Sequence, residues 1–362
     1  MHARTILQIR IVAGVTLLSA VAGATYGLRF TPIWPNIAIG VTVGALNGAT
    51  LSTLDIFLIR PLATLRRLSF ISLLALRTLI YGTTFIVAGR LAKLSIGAVA
   101  PNFNFLPNHM VMQPSLPFSL GVALTFNIVF VLAALLGPQV LISLLTGRYR
   151  RPRSEQRIVM FLDLHDSTRH AERLGDQNFH RFLNLIFFDI SDPVLAARGS
   201  IYRYVGDEII ITWPLERGAR DAACIACFFA ITDALRRKRQ NYLRAFAAEP
   251  LLRGALHAGT LVVGEMGDLK REIVMLGDTM NTTARIEEMC RVMGKEFLVS
   301  AEILRAIPKL PSDIHAEPLG GVTLRGKEDD VELFALTRLG GRTSVTSRES
   351  LLTSRSQPES VE

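Results

Sequence analysis

Acidic side chains are nearly missing from the first 147 residues of this chain: Asp55 stands alone against nine Lys and Arg. From Arg148 onward, 31 basic residues meet 30 acidic ones, so the net charge of +9 belongs to the first part. A second part so close to neutrality argues against a basic nucleic-acid surface, and nucleic acid is not expected as a partner. Cysteine is scarce too, three in 362 residues and none before Cys224. Cys224 and Cys227 have Cys-x-x-Cys spacing, but they fall in a helical pattern with no second ligand pair. They read as small core residues, with a zinc or redox site the lesser alternative. Beyond Arg338 apolar periodicity is missing and Ser, Thr, Arg and Glu dominate, so residues 338–362 read as a disordered tail.

What the first part has in place of charge is apolar length. Residues 5–27, 37–59, 68–88 and 116–145 are each long enough to cross a bilayer, which takes about 20 residues. They make residues 1–147 a transmembrane domain of four spans, with six crossings as the alternative if 94–117 re-enters the membrane. The first run is too long for a removable signal peptide and lacks its cleavage site. Arg4, Arg10, Arg60, Arg66, Arg67, Arg148, Arg150, Arg151 and Arg153 fall on one side, and Arg29, Arg90 and Lys93 on the other. The positive-inside rule then puts the amino terminus and everything after Arg148 in the cytoplasm, with membrane lipid around the spans. The outer connections are short, so any stimulus is small, membrane-borne or sensed by the helices themselves. Asp55 and Arg77 are ionisable groups in or near spans. Asp55 lies near the cytoplasmic face, where Arg60 is one partner open to it; for the deeper Arg77, pairing with Asp55 across two helices is the expected arrangement and ligand contact the alternative.

A short basic linker, 148–157, leads to the stretch around which the second part is organised. The run from Ile158 to Leu162 is continuously apolar, as in a strand covered on both faces, and it ends on Asp163. A carboxylate there is costly to bury unless it meets a cation. A helical segment, about 176–198, follows. Then comes a strand, a turn at Gly206-Asp207 and a second strand ending at Trp213. That layout brings Asp163 and Asp207 to neighbouring strands, where their oxygens suit hard divalent cations such as magnesium or manganese. Further on, the pattern predicts a helix over 217–247, a hairpin over 251–265 turning at Gly259-Thr260, and a strand that turns at Gly277 into a helix. On that helix Asn281 and Arg285 are four apart and share a face, an amide and a fixed cation suited to a sugar phosphate. A last strand covers Val331 to Leu336. His165, His170 and His180 have no metal spacing, His257 reads as a packed histidine, and the run from Arg236 to Arg239 as a solvated helix face.

Together these blocks resemble the catalytic domain of the class III nucleotidyl cyclases, in its bacterial membrane-anchored form. The resemblance is carried by FLD with Ser167-Thr168 behind it, VGDE, HAGTLVVGEMG, LGDTMNTTARIE and RGKEDDVELFAL, in the family's order. It implies a membrane domain followed, over 158–337, by an α+β ferredoxin-like cyclase domain acting on the cytoplasmic side of the inner membrane. It also implies ATP as substrate and two magnesium or manganese ions per site, held by Asp163, Asp207 and the backbone carbonyl of Leu164. Ser167, Thr168 and Gly206 would lie along the triphosphate, Lys327 near the terminal phosphates, and Asn281 and Arg285 at the ribose and the transition-state charge. In this family the aspartates of one subunit meet the Asn and Arg of another, so a homodimer is expected.

Two base-reading positions depart from the pattern: Arg203 replaces a Lys, and Val274 replaces an Asp or Thr. Val274 offers no side-chain hydrogen bond, and the pair also lacks the groups usual for guanine, so ATP is favoured. A guanylate cyclase remains an alternative, as does a catalytically weak nucleotide-binding receptor. A diguanylate cyclase fits less well. The chain lacks that family's Gly-Gly-Asp/Glu-Glu-Phe hairpin and carries an Asn-x-x-x-Arg helix that family does not need.

Overall fold

The computed structural model describes residues 3–28, 34–59, 70–99, 117–133 with short gaps, 137–325 and 330–339. They form two compact units, Met1–Arg148 and Tyr149–Glu362.

In the first unit, α1 (Ala3–Leu28) is followed by α2 (Trp34–Thr53), which continues into a π-helical stretch, Leu54–Ile59. Then come α3 (Phe70–Val99), α4 (Leu120–Ala133) and α5 (Pro138–Thr146). Two segments, Arg4–Leu28 and Ile37–Phe57, are long and apolar enough to cross a bilayer; the apolar stretches Leu74–Val87 and α4 are shorter. Among the described residues the four-span expectation is therefore matched at two helices. Residues 100–116, most of the segment considered for re-entry, lie outside the described residues. Backbones of α1 and α2 touch along a glycine seam, where a Cβ on Gly40 would stand 2.1 Å from the Gly23 carbonyl oxygen. Asp55 and Arg77 do pair, Oδ1 to Nη2 at 2.7 Å, and Arg77 Nη1 also donates to Asn127 Oδ1 at 3.1 Å. All three side chains are buried, so each charge has the partner its burial demands.

The second unit runs β1 (Arg153–Leu164), α6 (Ser167–Leu174), α7 (Asp176–Ala196), β2 (Ser200–Val205), β3 (Glu208–Pro214) and α8 (Leu215–Ala219). After a 3-10 turn it continues α9 (Ala223–Arg237), α10 (Arg239–Phe246), β4 (Leu252–Met266), β5 (Glu272–Leu276) and α11 (Asp278–Met293). It closes with β6 (Phe297–Ser300), α12 (Ala301–Ala306), β7 (Ile314–Val322) and β8 (Val331–Arg338). The sheet order is β2-β3-β1-β4-β6-β8-β7, with β5 paired to β4. Its first four strands, antiparallel throughout and joined by helical crossovers between β1 and β2 and between β3 and β4, have the ferredoxin-like arrangement expected.

β1 is central because both of its faces are covered. Ile158, Met160, Leu162 and Leu164 point into the larger core with Phe182 and Ile186 of α7 and Phe228 of α9. Val159 and Phe161 point the other way, into a smaller cluster with Ile210, Leu261, Val263 and Tyr149, against which Met280 and Ala284 of α11 pack. The strand starts at Arg153, inside the stretch read as linker, because Arg153–Arg157 pair with Gly259–Val263 of β4.

Two expected elements are corrected. The hairpin at 251–265 is one strand, β4: Gly259 marks no turn but a close approach, since a Cβ there would meet Thr279 Oγ1 at 2.5 Å. The real turn comes later, at Gly267 with φ of 99°. The helix expected over 217–247 breaks at Asp221 and Ala222, both with positive φ, and again at Lys238. There the Lys238 ammonium and the Tyr242 hydroxyl both donate to the buried Asp189, at 2.7 and 2.8 Å. Cys224 and Cys227 are buried core residues of α9, as read. Lys327 and the tail from residue 340 lie outside the described residues.

Gly254 of β4 faces Phe228, which stacks on Phe297 at 4.0 Å; an added Cβ would lie 2.7 Å from the Phe228 ring. Gly254→Ala is therefore expected to destabilise the second unit by about 1–3 kcal/mol, the usual cost of overpacking a close-packed core. Denaturant unfolding followed by tryptophan fluorescence checks it; an unchanged midpoint would mean that the ring stack yields freely.

Candidate active site

The site forms where β1 ends beside the β2–β3 turn. In the ladder Leu162 faces Ile209, so Asp163 and Asp207 reach the same end of neighbouring strands, as the sequence layout requires. Gly206 provides the left-handed backbone of that turn, with φ of 63°. The two carboxyls lie within hydrogen-bonding reach of each other. Burial, with Asp207 next, raises the pKa of Asp163; the Arg253 guanidinium works in the opposite direction.

That Arg is the cation which a buried strand-end carboxylate calls for. Arg253 sits on β4 directly opposite Asp163 in the ladder, and its Nη2 donates to Asp163 Oδ2 at 3.1 Å. Arg291 of α11 is a second, mostly exposed cation, 3.6 Å from the same oxygen. Two further acids complete the cluster. Glu208 beside Asp207 and Glu287 of α11 are each pushed up to about 7, first by burial and then by the charge of Asp163. Sequence reasoning missed Arg253, Arg291, Glu208 and Glu287 because their chemistry depends on ladder register and on which face of α11 meets the sheet. The one available signal was the demand of Asp163 for a cation.

Four acids against two cations leave a negative excess, and Asp207 Oδ2 is buried without a hydrogen-bond partner. Oxygen donors of this kind fit a hard divalent cation. No group of three His, Cys, Asp or Glu side chains converges as a metal cage among the described residues, so Asp163 and Asp207 would need backbone or substrate oxygens to complete a shell. The residue after Asp163, Leu164, offers such a carbonyl.

The remaining predicted residues fall into three groups. Ser167 and Thr168 begin α6, close in sequence behind Asp163. Arg203, on β2, forms an ion pair with Glu272 of β5, which Lys270 also holds at 2.6 Å. Val274 lies two residues beyond Glu272, hence on the same side of β5. Glu272 is thus a polar neighbour of the Arg203 position that the sequence did not reveal. Asn281 and Arg285 share one face of α11 as predicted, Asn281 exposed and Arg285 half-buried. It is not the face that carries Glu287 and Arg291 toward Asp163. Among the described residues no hydrogen bond or ion pair joins Asn281 or Arg285 to Asp163 or Asp207, so a single chain leaves the two pairs apart.

Comparison with known proteins gives the family and the fold. The family model "Adenylate and Guanylate cyclase catalytic domain" matches residues 150–338. Adenylate cyclase 2 of Rhizobium meliloti (strain 1021) is 39% identical over 251 residues, covering 69% of this chain and 66% of that protein. Adenylate cyclase 1 of the same organism is 25% identical over 178 residues, covering 48% of this chain and 26% of that protein. The chain thus spans less than two thirds of the length of either curated relative. Two solved structures, each described as a bacterial light-regulated adenylyl cyclase, superpose with TM-scores of 0.53 and 0.52 at 19% and 20% identity. They cover 62% and 66% of this chain and 65% and 68% of their own, a likeness of fold.

The raised pKa of Glu287 has a measurable consequence. A carboxyl whose pKa rises on folding, here from 4.5 to about 7, stabilises the fold below the lower value and loses that contribution as pH climbs through the higher one. In metal-free buffer, Glu287→Gln should therefore raise the thermal midpoint at pH 8 relative to the parent chain and change it little at pH 5. Equal differences at both pH values would mean that Glu287 is ionised throughout.

Proposed function

The chain belongs to the adenylate and guanylate cyclase catalytic-domain family, and on that premise we propose that it is a membrane-bound adenylate cyclase converting ATP to 3′,5′-cyclic AMP and pyrophosphate at a homodimer interface. One observation carries this reading: Asp163 and Asp207 converge, with a buried carboxylate oxygen left over, while among the described residues no hydrogen bond or ion pair links them to Asn281 or Arg285 of the same chain. Two copies arranged head to tail would complete two sites.

In the reaction the ribose 3′ oxygen attacks the α-phosphorus, the bond from that phosphorus to the oxygen it shares with the β-phosphorus breaks so that pyrophosphate departs, and the 3′ hydroxyl proton passes to water. Magnesium or manganese ions, two per site between Asp163, Asp207 and the Leu164 carbonyl, would supply Lewis-acid activation of that hydroxyl and offset triphosphate charge. The chain's own groups do the rest. Backbone amides at Ser167 and Thr168 in the first turn of α6, and at Gly206 in the β2–β3 turn, suit phosphate oxygens. Lys327 adds a cation for the terminal phosphates. Asn281 orients the ribose from the partner copy, and Arg285 meets the charge that grows on the α-phosphate, where a guanidinium can bind two oxygens at once.

Arg203 and Val274 flank the base. Glu272 gives Arg203 a carboxylate partner on the side of β5 where Val274 has no hydrogen-bonding group. The adenylate cyclase relatives favour adenine. The carboxylate of Glu272 is the one observation that favours guanine, whose N1–H and 2-amino group want an acceptor. The helices α1 and α2, with the basic flanks of the first unit, support a multi-pass inner-membrane enzyme with its catalytic unit in the cytoplasm.

Full-length chain in membranes, offered ATP and GTP separately with manganese or magnesium, should make cyclic AMP from ATP. Asp207→Ala should lower the rate by about 100-fold or more, given how much oriented charge contributes to such a transition state. Product from GTP alone would transfer the reading to a guanylate cyclase. Asp163→Ala and Asn281→Ala, each inactive alone, should regain part of the activity when co-expressed, because a mixed dimer assembles one intact site. Two folded, co-assembled variants that show no rescue would disprove the shared site.

A further inference from the structure

We propose that Arg253 is a positioning residue for metal binding: it holds Asp163 in its ligating orientation and offsets its repulsion with Asp207. The inference rests on the reading of Asp163 and Asp207 as metal ligands. Arg253 lies opposite Asp163 in the β1–β4 ladder, so the backbone fixes the distance between them before any side chain is considered. The strand beyond it is pinned as well. The Gly254 amide donates to the Glu296 carbonyl at 2.8 Å, and the Cys290 thiol to the Gly254 carbonyl at 3.3 Å. From that anchored base the guanidinium, only 12% exposed, reaches Asp163 Oδ2 at 3.1 Å.

Screening separates the two cations. Arg291 is 65% exposed at its side chain and 3.6 Å away, so water weakens its hold. Arg253 acts in a drier place, where a charged hydrogen bond both orients a carboxylate and keeps it ionised. Both cations reach Asp163 through the same oxygen, Oδ2. Glu287 sits behind the pair with a buried, unpartnered Oε1, so the charge of Arg253 serves two acids at once. Partners that orient a ligand in this manner usually account for about a 10- to 100-fold change in metal affinity.

The test is titration of purified full-length chain with Mn²⁺ in detergent without nucleotide, reading free Mn²⁺ by electron paramagnetic resonance, with thermal midpoints recorded for every variant. The parent chain should bind saturably and Asp163→Asn should not. Arg253→Gln should bind about 10- to 100-fold more weakly, Arg253→Lys should recover part of that loss because it restores charge without the fork, and Arg291→Gln should stay within about threefold. Parent-like affinity in Arg253→Gln, or an equal loss in Arg291→Gln, overturns the positioning role and leaves the metal reading intact. No saturable binding by the parent chain, or none lost in Asp163→Asn, overturns both. If Arg253→Gln fails to fold, Arg253→Lys decides: affinity equal to the parent's overturns the role, and weakened affinity at an unchanged midpoint sustains it.

Discussion

Two carboxylates held together at the end of a buried strand cannot both stay charged unless positive charge comes to them, and much of the second unit is arranged around that constraint. Asp163 ends a strand whose residues from Ile158 to Leu164 are all buried, so no water can reach it from beneath. The sheet answers with register: β4 runs antiparallel to β1 and sets Arg253 opposite. The turn answers with Asp207, which adds negative charge rather than removing it. The result is a site with one fixed internal cation and an excess of acid.

The helix α11 turns different residues to different surroundings. Its buried side contributes Ile286 and Cys290 to a core with Leu298 and Leu333, and Glu287 to the carboxylate cluster. Asn281 and Arg285 lie on a different face. A helix has about 3.6 residues per turn, so residues 281 and 285 share a face while 287 and 291 project from another. On the proposed reading, a site that needs both sets takes them from two copies, and helical geometry is the reason.

Much of this was legible in the residues themselves. Strand β1, the Gly206-Asp207 turn, the shared face of Asn281 and Arg285 and the pairing of Asp55 with Arg77 followed from apolar runs, turn chemistry, helical spacing and the cost of burying charge. What escaped depends on tertiary contact. Gly259 looks like a turn residue in sequence; in the fold it is small because Thr279 presses against it and donates to the Thr260 carbonyl at 2.8 Å. Nothing local distinguishes the two causes. Arg253 carries no motif of its own, and only its register with Asp163 gives it a role. The long helix expected across 217–247 breaks at Asp221 and Ala222, and again at Lys238, where Asp189 of α7 draws Lys238 and Tyr242 together.

The same β1–β4 pair also determines how a displacement could reach the site. At one end the Glu265 amide donates to the Tyr149 carbonyl at 2.9 Å, and Pro152 packs on Gly264. The Tyr149 hydroxyl meets Glu155, which Arg157 grips at 2.8 Å. At the other end of the two strands stand Asp163 and Arg253. Paired strands resist stretching because each residue is fixed by ladder hydrogen bonds, so a pull on the chain at Tyr149 cannot be absorbed between Arg153 and Asp163. It must move the pair as a body, or change how α11 rides on Val159 and Phe161 through Met280 and Ala284. Either response alters how the carboxylates at the end of β1 stand against α11, which carries Asn281 and Arg285.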